Sequence, residues 1–332
     1  MKKILAILLI LVMTLGLFAA CGGDSSEEQG AEDALTVCVV VADGFGDKSF
    51  YDSSKEGLDR LVADHGVIAK TIECGGENFT QQLMNAAEEA DIVIPVGWQF
   101  YDIETVAPEY PETTFIWCDN EMSTTLENVL CITYAQNEGS FLAGYIAAKL
   151  SESGVVGAVG GMDNATINDF IVGYKQGAEY ANPDCKVVSN YIGDFEDAAG
   201  GKECALALNG QGADVVFQIA GNAGNGVFEA AAENGFYAVG VDSDQKYMND
   251  EVIICSMMKE VGNSIYDALV QYINGEFEGN RTWLADMATG YVKISYGEEG
   301  STQQVPDELK AEVEALAEKI VNGEIVVETA RQ

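Results

Sequence analysis

Histidine is nearly absent from this 332-residue sequence, His65 being the single one. A Ser-His-Asp set is therefore impossible unless His65 serves in it, and no histidine-based metal cluster can form. His65 falls at the end of an expected helix, remote from every strand-end loop, so neither catalysis nor a metal is expected. Basic residues are scarce too: 17 against 54 acidic, a net charge of −37. A nucleic-acid binder needs a basic footprint to displace phosphate counterions, and this chain has the opposite. The carboxylates read as a solvated surface. None of the eight cysteines forms a C-x-x-C pair. Several lie in apolar runs ("TVCVVV", "FIWCDN", "IICSMM"), where free cysteine acts as a small hydrophobe. No G-x-G-x-x-G fingerprint and no G-x-x-x-x-G-K-[ST] phosphate loop occurs, so no cofactor is expected.

What is present begins with a leader. "MKKILAILLILVMTLGLFAAC" has two lysines, an apolar core from Ile4 to Phe18, and small Ala19 and Ala20 before Cys21. That layout is a secretory signal, residues 1–20, whose cleavage leaves a cysteine for lipidation. A diacylated Cys21 would anchor the protein on the outer face of the cell membrane by acyl-chain burial. Residues 21–33, with "GGDSSEEQGAED", lack apolar periodicity and read as an acidic tether. No second hydrophobic span follows, so the folded part is expected to be extracytoplasmic.

From Ala34 on, strands and helices alternate, the signature of a parallel α/β sheet. "ALTVCVVVA", "VIAKTIEC", "DIVIPVG", "TTFIWCD" and "NVLCITY" supply strands in a first series. "GVVGAVGG", "CKVVSNYIG", "ADVVFQIAG" and "YAVGVD" supply a second, with helices expected near Asn168–Asn182, Ala198–Asn209 and Asn225–Asn234. Two similar halves predict two lobes. In open parallel sheets ligands bind beyond the carboxyl ends of the strands. That rule selects Asp43 to Phe50, Gly97 to Phe100 (with Trp98), Asp119 with Asn120, Gly160 to Asn164, Gly221 to Gly226, and Asp242 to Gln245.

Each selection has a plainer reading beside it. Ser49 or Asp47 would equally cap the helix that follows, and Phe50 is either core or a face for stacking on a flat ring. "GNAGNG" is either a tight turn or a ligand contact through Asn222 and Asn225. Lys259, in "SMMKEV", is a lone cation at an apolar strand end and needs a carboxylate or ligand oxygen.

Taken together, "GDKSFYDSSKEGL", "NEGSFLAGYIAAKLSESGVVGAVGGMD", "GADVVFQIAGNAGNGVFEAAAENGFYAVGVDSDQ", "SMMKEV" and "VPDELKAEVEALAEKIVNGEI" resemble the basic membrane protein family of substrate-binding lipoproteins, with its PnrA-like purine nucleoside receptors. The resemblance implies a type I periplasmic-binding-protein fold: two Rossmann-like α/β lobes joined by a crossover hinge, the ligand cleft between them. It implies lobes of residues 34–134 plus about 258–288, and 135–257 plus about 289–332. It implies a small-molecule ligand, a purine nucleoside, handed to an ABC permease and its ATPase with no chemistry done on it. By resemblance Phe50 stacks on the purine, Asp242 and Lys259 reach the sugar, Asp119 stands near the cleft, and Asn222 and Asn225 are weaker matches. Nucleoside receptors of the family usually read D-D-K-S-F-N, where this chain has Gly46 and Tyr51. The early ligand-binding aspartate falls at Val41 unless Asp43 takes its place. A receptor of the same fold for a pentose or other sugar-like solute, or a signal sensor, is the alternative.

Overall fold

A strand covered on both faces must be apolar throughout, and Val37 to Val41 are fully buried. The computed structural model describes residues 34–120 and 123–331; the expected leader, Cys21 and the whole of the tether lie outside the described residues. The first series runs β1 (Thr36–Val41), α1 (Phe50–His65), β2 (Ile68–Glu73), α2 (Phe79–Glu89), β3 (Ile92–Val96), the single turn α3 (Ile103–Val106), β4 (Thr114–Cys118) and β5 (Val129–Tyr134). The second runs α4 (Gln136–Leu150), β6 (Val155–Gly160), α5 (Ala165–Ala181), β7 (Lys186–Tyr191), α6 (Ala198–Asn209), β8 (Val215–Ile219), α7 (Asn225–Asn234), β9 (Tyr237–Asp242) and β10 (Ile253–Lys259). Then come α8 (Val261–Ile273), β11 (Arg281–Ala285), β12 (Val292–Ser295) and α9 (Asp307–Val321).

Two six-stranded sheets result, ordered β11-β5-β4-β3-β1-β2 and β12-β10-β9-β8-β6-β7. All pairs in the first are parallel, whereas β12 runs antiparallel to β10 in the second. This is the two-lobed α/β architecture that the alternating pattern predicts. α5 begins three residues earlier than expected, because the Asn164 side chain accepts from Ile167 N–H and caps it. The short edge strands β11 and β12 are not among the strands expected from sequence, although "YVKIS" alternates as a strand does. Both complete sheets already built by longer neighbours.

The chain crosses between sheets three times, always beyond the carboxyl end of a strand. β5 belongs to the first sheet, yet α4 after it packs into the second-lobe core through Phe141, Leu142 and Ile146. β10 belongs to the second sheet, yet α8 lies against α1, so closely that a Cβ on Gly57 would meet Gly262 O at 2.3 Å. β11 leads back to β12. α9 seats Leu309, Val313, Leu316 and Ile320 on the second-lobe core, one stripe of a 3.6-residue repeat.

The seven cysteines described are free thiols, six of them buried and Cys204 half-buried. Burial pushes Cys38 up to about 11 and Cys74, Cys131 and Cys255 up to about 12. Among the described residues no group of His, Cys, Asp and Glu is placed to hold a metal ion, and no helix is long and apolar enough to cross a membrane.

Candidate functional site

A helix start leaves backbone N–H groups without partners. At α1 they go to Asp47, two residues before the usual cap position. Its carboxylate accepts from Ser49 N (3.0 Å), Tyr51 N (2.9 Å) and Asp52 N (3.1 Å). Burial raises the Asp47 carboxyl to about 7, against the pull of these three donors. Asp47 borders the cleft with its oxygens already engaged by the helix.

Relieved of capping, the Ser49 hydroxyl donates across the lobes to Asp242 Oδ2 (2.9 Å) and lies 3.1 Å from Val241 O. Ser243 Oγ donates to Ser49 O (3.2 Å) and Gln245 Nε2 to Lys48 O (3.3 Å). The first-lobe loop is thus tied directly to the end of β9. Phe50, the first residue of α1, turns its ring to the space that remains.

That space is a cleft of about 620 Å³, a figure that includes the open solvent at its mouth. From the first lobe it is lined by Phe50, Tyr51, Trp98 and Asp119; from the second, by Phe170, Phe195, Glu196, Asn222, Asp242 and Lys259. Lys259 is 2 % exposed. Its ammonium sits 2.7 Å from Asp119 Oδ2 and 3.9 Å from Asp242 Oδ1. The rings of Phe50, Phe170 and Tyr134 surround it at 4.6, 5.1 and 5.3 Å. A buried ammonium needs such a set, since carboxylates and ring faces replace the water it has lost. Burial raises the Asp242 carboxyl, opposed by Lys259 and the Ser49 hydroxyl. Asp242 Oδ1 is buried and accepts no hydrogen bond among the described residues.

Asp119 and Asp242 share an unusual backbone: φ is 60° at one and 63° at the other. The left-handed region is uncommon for residues with a side chain and is tolerated best by Asn and Asp. Two such residues at the same cleft are a concentration of strain of the kind functional sites hold.

Seven of the nine residues singled out from sequence therefore border one cavity: Asp47, Phe50, Trp98, Asp119, Asn222, Asp242 and Lys259. Two stand outside its lining. Asp43 accepts from Tyr51 Oη (3.2 Å) beneath α1. Asn225 donates to Asn222 Oδ1 (2.8 Å), which orients Asn222 toward Glu196 (2.9 Å). The glycines of "GNAGNG" answer to packing: a Cβ on Gly226 would meet Ala198 O at 1.9 Å, and one on Gly224 would meet Gln218 Oε1 at 1.9 Å. Sequence reasoning missed Phe195 and Glu196, although they follow β7 and the strand-end rule reaches them. It missed Phe170, which lies a turn into α5 and reads as core.

A family model described as "ABC transporter substrate-binding protein PnrA-like" matches residues 34–331. Basic membrane protein A2 of Borrelia garinii subsp. bavariensis is 32 % identical over 331 residues, 97 % of this chain and 95 % of that one. The ABC transporter nucleoside-binding protein BmpA of Lactococcus lactis subsp. cremoris is 30 % identical over 354 aligned positions, 98 % of this chain and 99 % of that one. Among solved structures, a solute-binding protein of an ABC transporter system from Aeropyrum pernix K1 superposes with a TM-score of 0.79 at 27 % identity, covering 89 % and 94 % of the two chains.

Proposed function

The chain belongs to the PnrA-like family of ABC transporter substrate-binding proteins, which are not enzymes, and from that premise we propose that it is a purine-nucleoside receptor held to the membrane by a lipidated Cys21. The observation that carries the ligand reading is the cleft's division of labour. Aromatic faces from both lobes, Phe50 and Phe195, line it together with Asp242, whose buried Oδ1 lacks a donor. A purine offers a flat ring to the first and a ribose offers hydroxyl donors to the second. The relative in Lactococcus lactis named as nucleoside-binding is consistent with this. Asp119, Asp242 and Glu196 border the cleft against one lining cation, Lys259, so a phosphorylated nucleotide is repelled. In this reading Asp43 and Asn225 act behind the cleft, supporting Tyr51 and Asn222. The lobe boundaries follow the crossovers after β5, β10 and β11.

Thermal shift against inosine, guanosine, adenosine, AMP, ribose and glucose tests the reading. A nucleoside at about 100 times its dissociation constant adds roughly 2.7 kcal/mol of stability. Nucleosides are expected to raise the melting temperature, with AMP and the sugars silent. F50A is expected to weaken nucleoside binding by about 1–3 kcal/mol, the scale of one base stacked on one aromatic ring. A shift with ribose and none with any nucleoside would assign the cleft to a sugar-like solute. For the anchor, palmitate labelling is expected in cells carrying the wild-type chain and lost in Cys21→Ser.

A further inference from the structure

We propose that Arg331, on the segment following α9, is a positioning residue of the cleft: it holds Asp119 from behind and joins the two lobes at the hinge. The inference rests on the nucleoside reading only for its choice of probe. The segment is well tied down before it reaches the hinge. Asn137 Nδ2 donates to Glu328 O (3.0 Å), and Glu328 N donates to Gln176 Oε1 (2.7 Å). Thr329 Oγ1 (2.6 Å) and Ala330 N (3.0 Å) both donate to Asp169 Oδ1 on α5. These anchors all belong to the second lobe, on α4 and α5.

Arg331 then reaches into the first. Its side chain is 14 % exposed. One terminal nitrogen donates to Thr133 Oγ1 on β5, beside the first crossover. The other lies 3.6 Å from Asp119 Oδ1, and Nε lies 3.6 Å from Asp169 Oδ2. Asp119 Oδ2 is held by Lys259. A buried carboxylate on left-handed backbone thereby has a cation beside each oxygen, Lys259 hydrogen-bonded to Oδ2 and Arg331 at ion-pair distance from Oδ1. The result is a continuous alternation of charge across the molecule, Asp169–Arg331–Asp119–Lys259–Asp242, in which the outer carboxylates belong to the second lobe and the central one to the first. The forked guanidinium makes one hydrogen bond, to Thr133, and places its other two nitrogens at ion-pair distance from Asp119 and Asp169 without hydrogen-bonding either, a three-way spread that a compact ammonium cannot match. Without it, Lys259 alone faces the carboxylates, and the Asp119 oxygen nearest Arg331 loses its countercharge. Asp119 is then free to swing away from the cleft, and the hinge loses a clasp.

The test compares wild type, R331A and R331K by inosine titration calorimetry and by amide hydrogen exchange without ligand. R331A is expected to weaken inosine binding by about tenfold or more, the scale set by removing one partner of a buried charge pair. R331K, which keeps the charge and loses the fork, is expected to fall between. Exchange in R331A is expected to rise at Asp119, at the β5–α4 crossover and at the β10–α8 crossover. Inosine binding unchanged in R331A overturns the proposal. So does exchange that rises only in residues 322–331, since that is a local tail effect. If the wild type binds no inosine, the nucleoside reading fails and the exchange pattern alone decides the role of Arg331. If R331A does not fold, R331K decides: wild-type binding and exchange in that variant overturn the proposal, and weakened binding with crossover exchange supports it.

Discussion

β4 of the first lobe and β9 of the second occupy equivalent places in their sheets, and each leads to an aspartate on left-handed backbone at the cleft. The same strand position has been put to two different uses. Asp119 is neutralised, with Lys259 at 2.7 Å and Arg331 at 3.6 Å. Among the described residues neither aspartate's Oδ1 has a hydrogen-bond donor; what separates Asp242 is its charge environment, with the Ser49 hydroxyl at 2.9 Å and no cation nearer than Lys259 at 3.9 Å. A repeated fold thus delivers two carboxylates to one point, and the surrounding charges make one structural and the other available. The flanking loops differ in the same spirit. After β3 the first lobe presents Trp98, whereas after β8 the second presents Asn222. One lobe brings mainly aromatic surface, and the other brings most of the polar surface and the cation.

Removing the cation should break the comparison most severely. Lys259→Met leaves Asp119 and Asp242 facing each other without their shared ammonium, and a loss of about 3–5 kcal/mol of stability is expected from denaturant unfolding. Adding Asp119→Asn to that variant should recover part of the loss; no recovery would mean that the loss does not come from the Asp119 charge left without its ammonium. The next effect separates the twins. Asp242→Asn should lower nucleoside affinity by about 1.5–3 kcal/mol, the value of a hydrogen bond to a charged acceptor, with the ligand-free melting temperature unchanged or raised. Asp119→Asn should lower that melting temperature, because Lys259 and Arg331 lose their common partner. Identical behaviour of the two variants would remove the distinction drawn between them.

The smallest effect concerns pH. Burial raises Asp43, Asp47, Asp169 and Asp242, and Asp47 reaches about 7 from an ordinary 3.8. Each holds its proton more tightly folded than unfolded. Their stabilisation is therefore complete below the unfolded value and lost as pH rises through the folded one. Melting temperature should fall by a few degrees from about pH 5.5 to about pH 8. A rise over that interval would contradict the burial of these carboxylates.

How much of this was visible in the sequence depends on whether a signal was local. Long apolar runs such as "TVCVVV" declared buried strands, the strand-end rule led to Phe50, Asp119 and Asp242, and Lys259 stood out as a lone cation in an apolar run. The side-chain partnerships did not follow, because they join residues far apart along the chain. Asp47 and Ser49 are near neighbours, yet which of them capped α1 and which reached across the cleft depended on Asp242, 193 positions downstream of Ser49. Arg331 carried no signal, since its meaning comes from the seat that α4 and α5 provide. β11 was hidden because a short edge strand takes its conformation from the sheet it joins.

The thiols give the molecule a practical property. Reactivity belongs to the exposed thiolate, and six of the seven described cysteines are sealed in the core with their protons held tightly where a value is resolved. Cys204 alone is partly accessible, on α6 of the second lobe, away from the cleft lining. A maleimide dye should therefore couple there in preference to the other six, reporting on lobe motion from a native attachment point without an engineered cysteine.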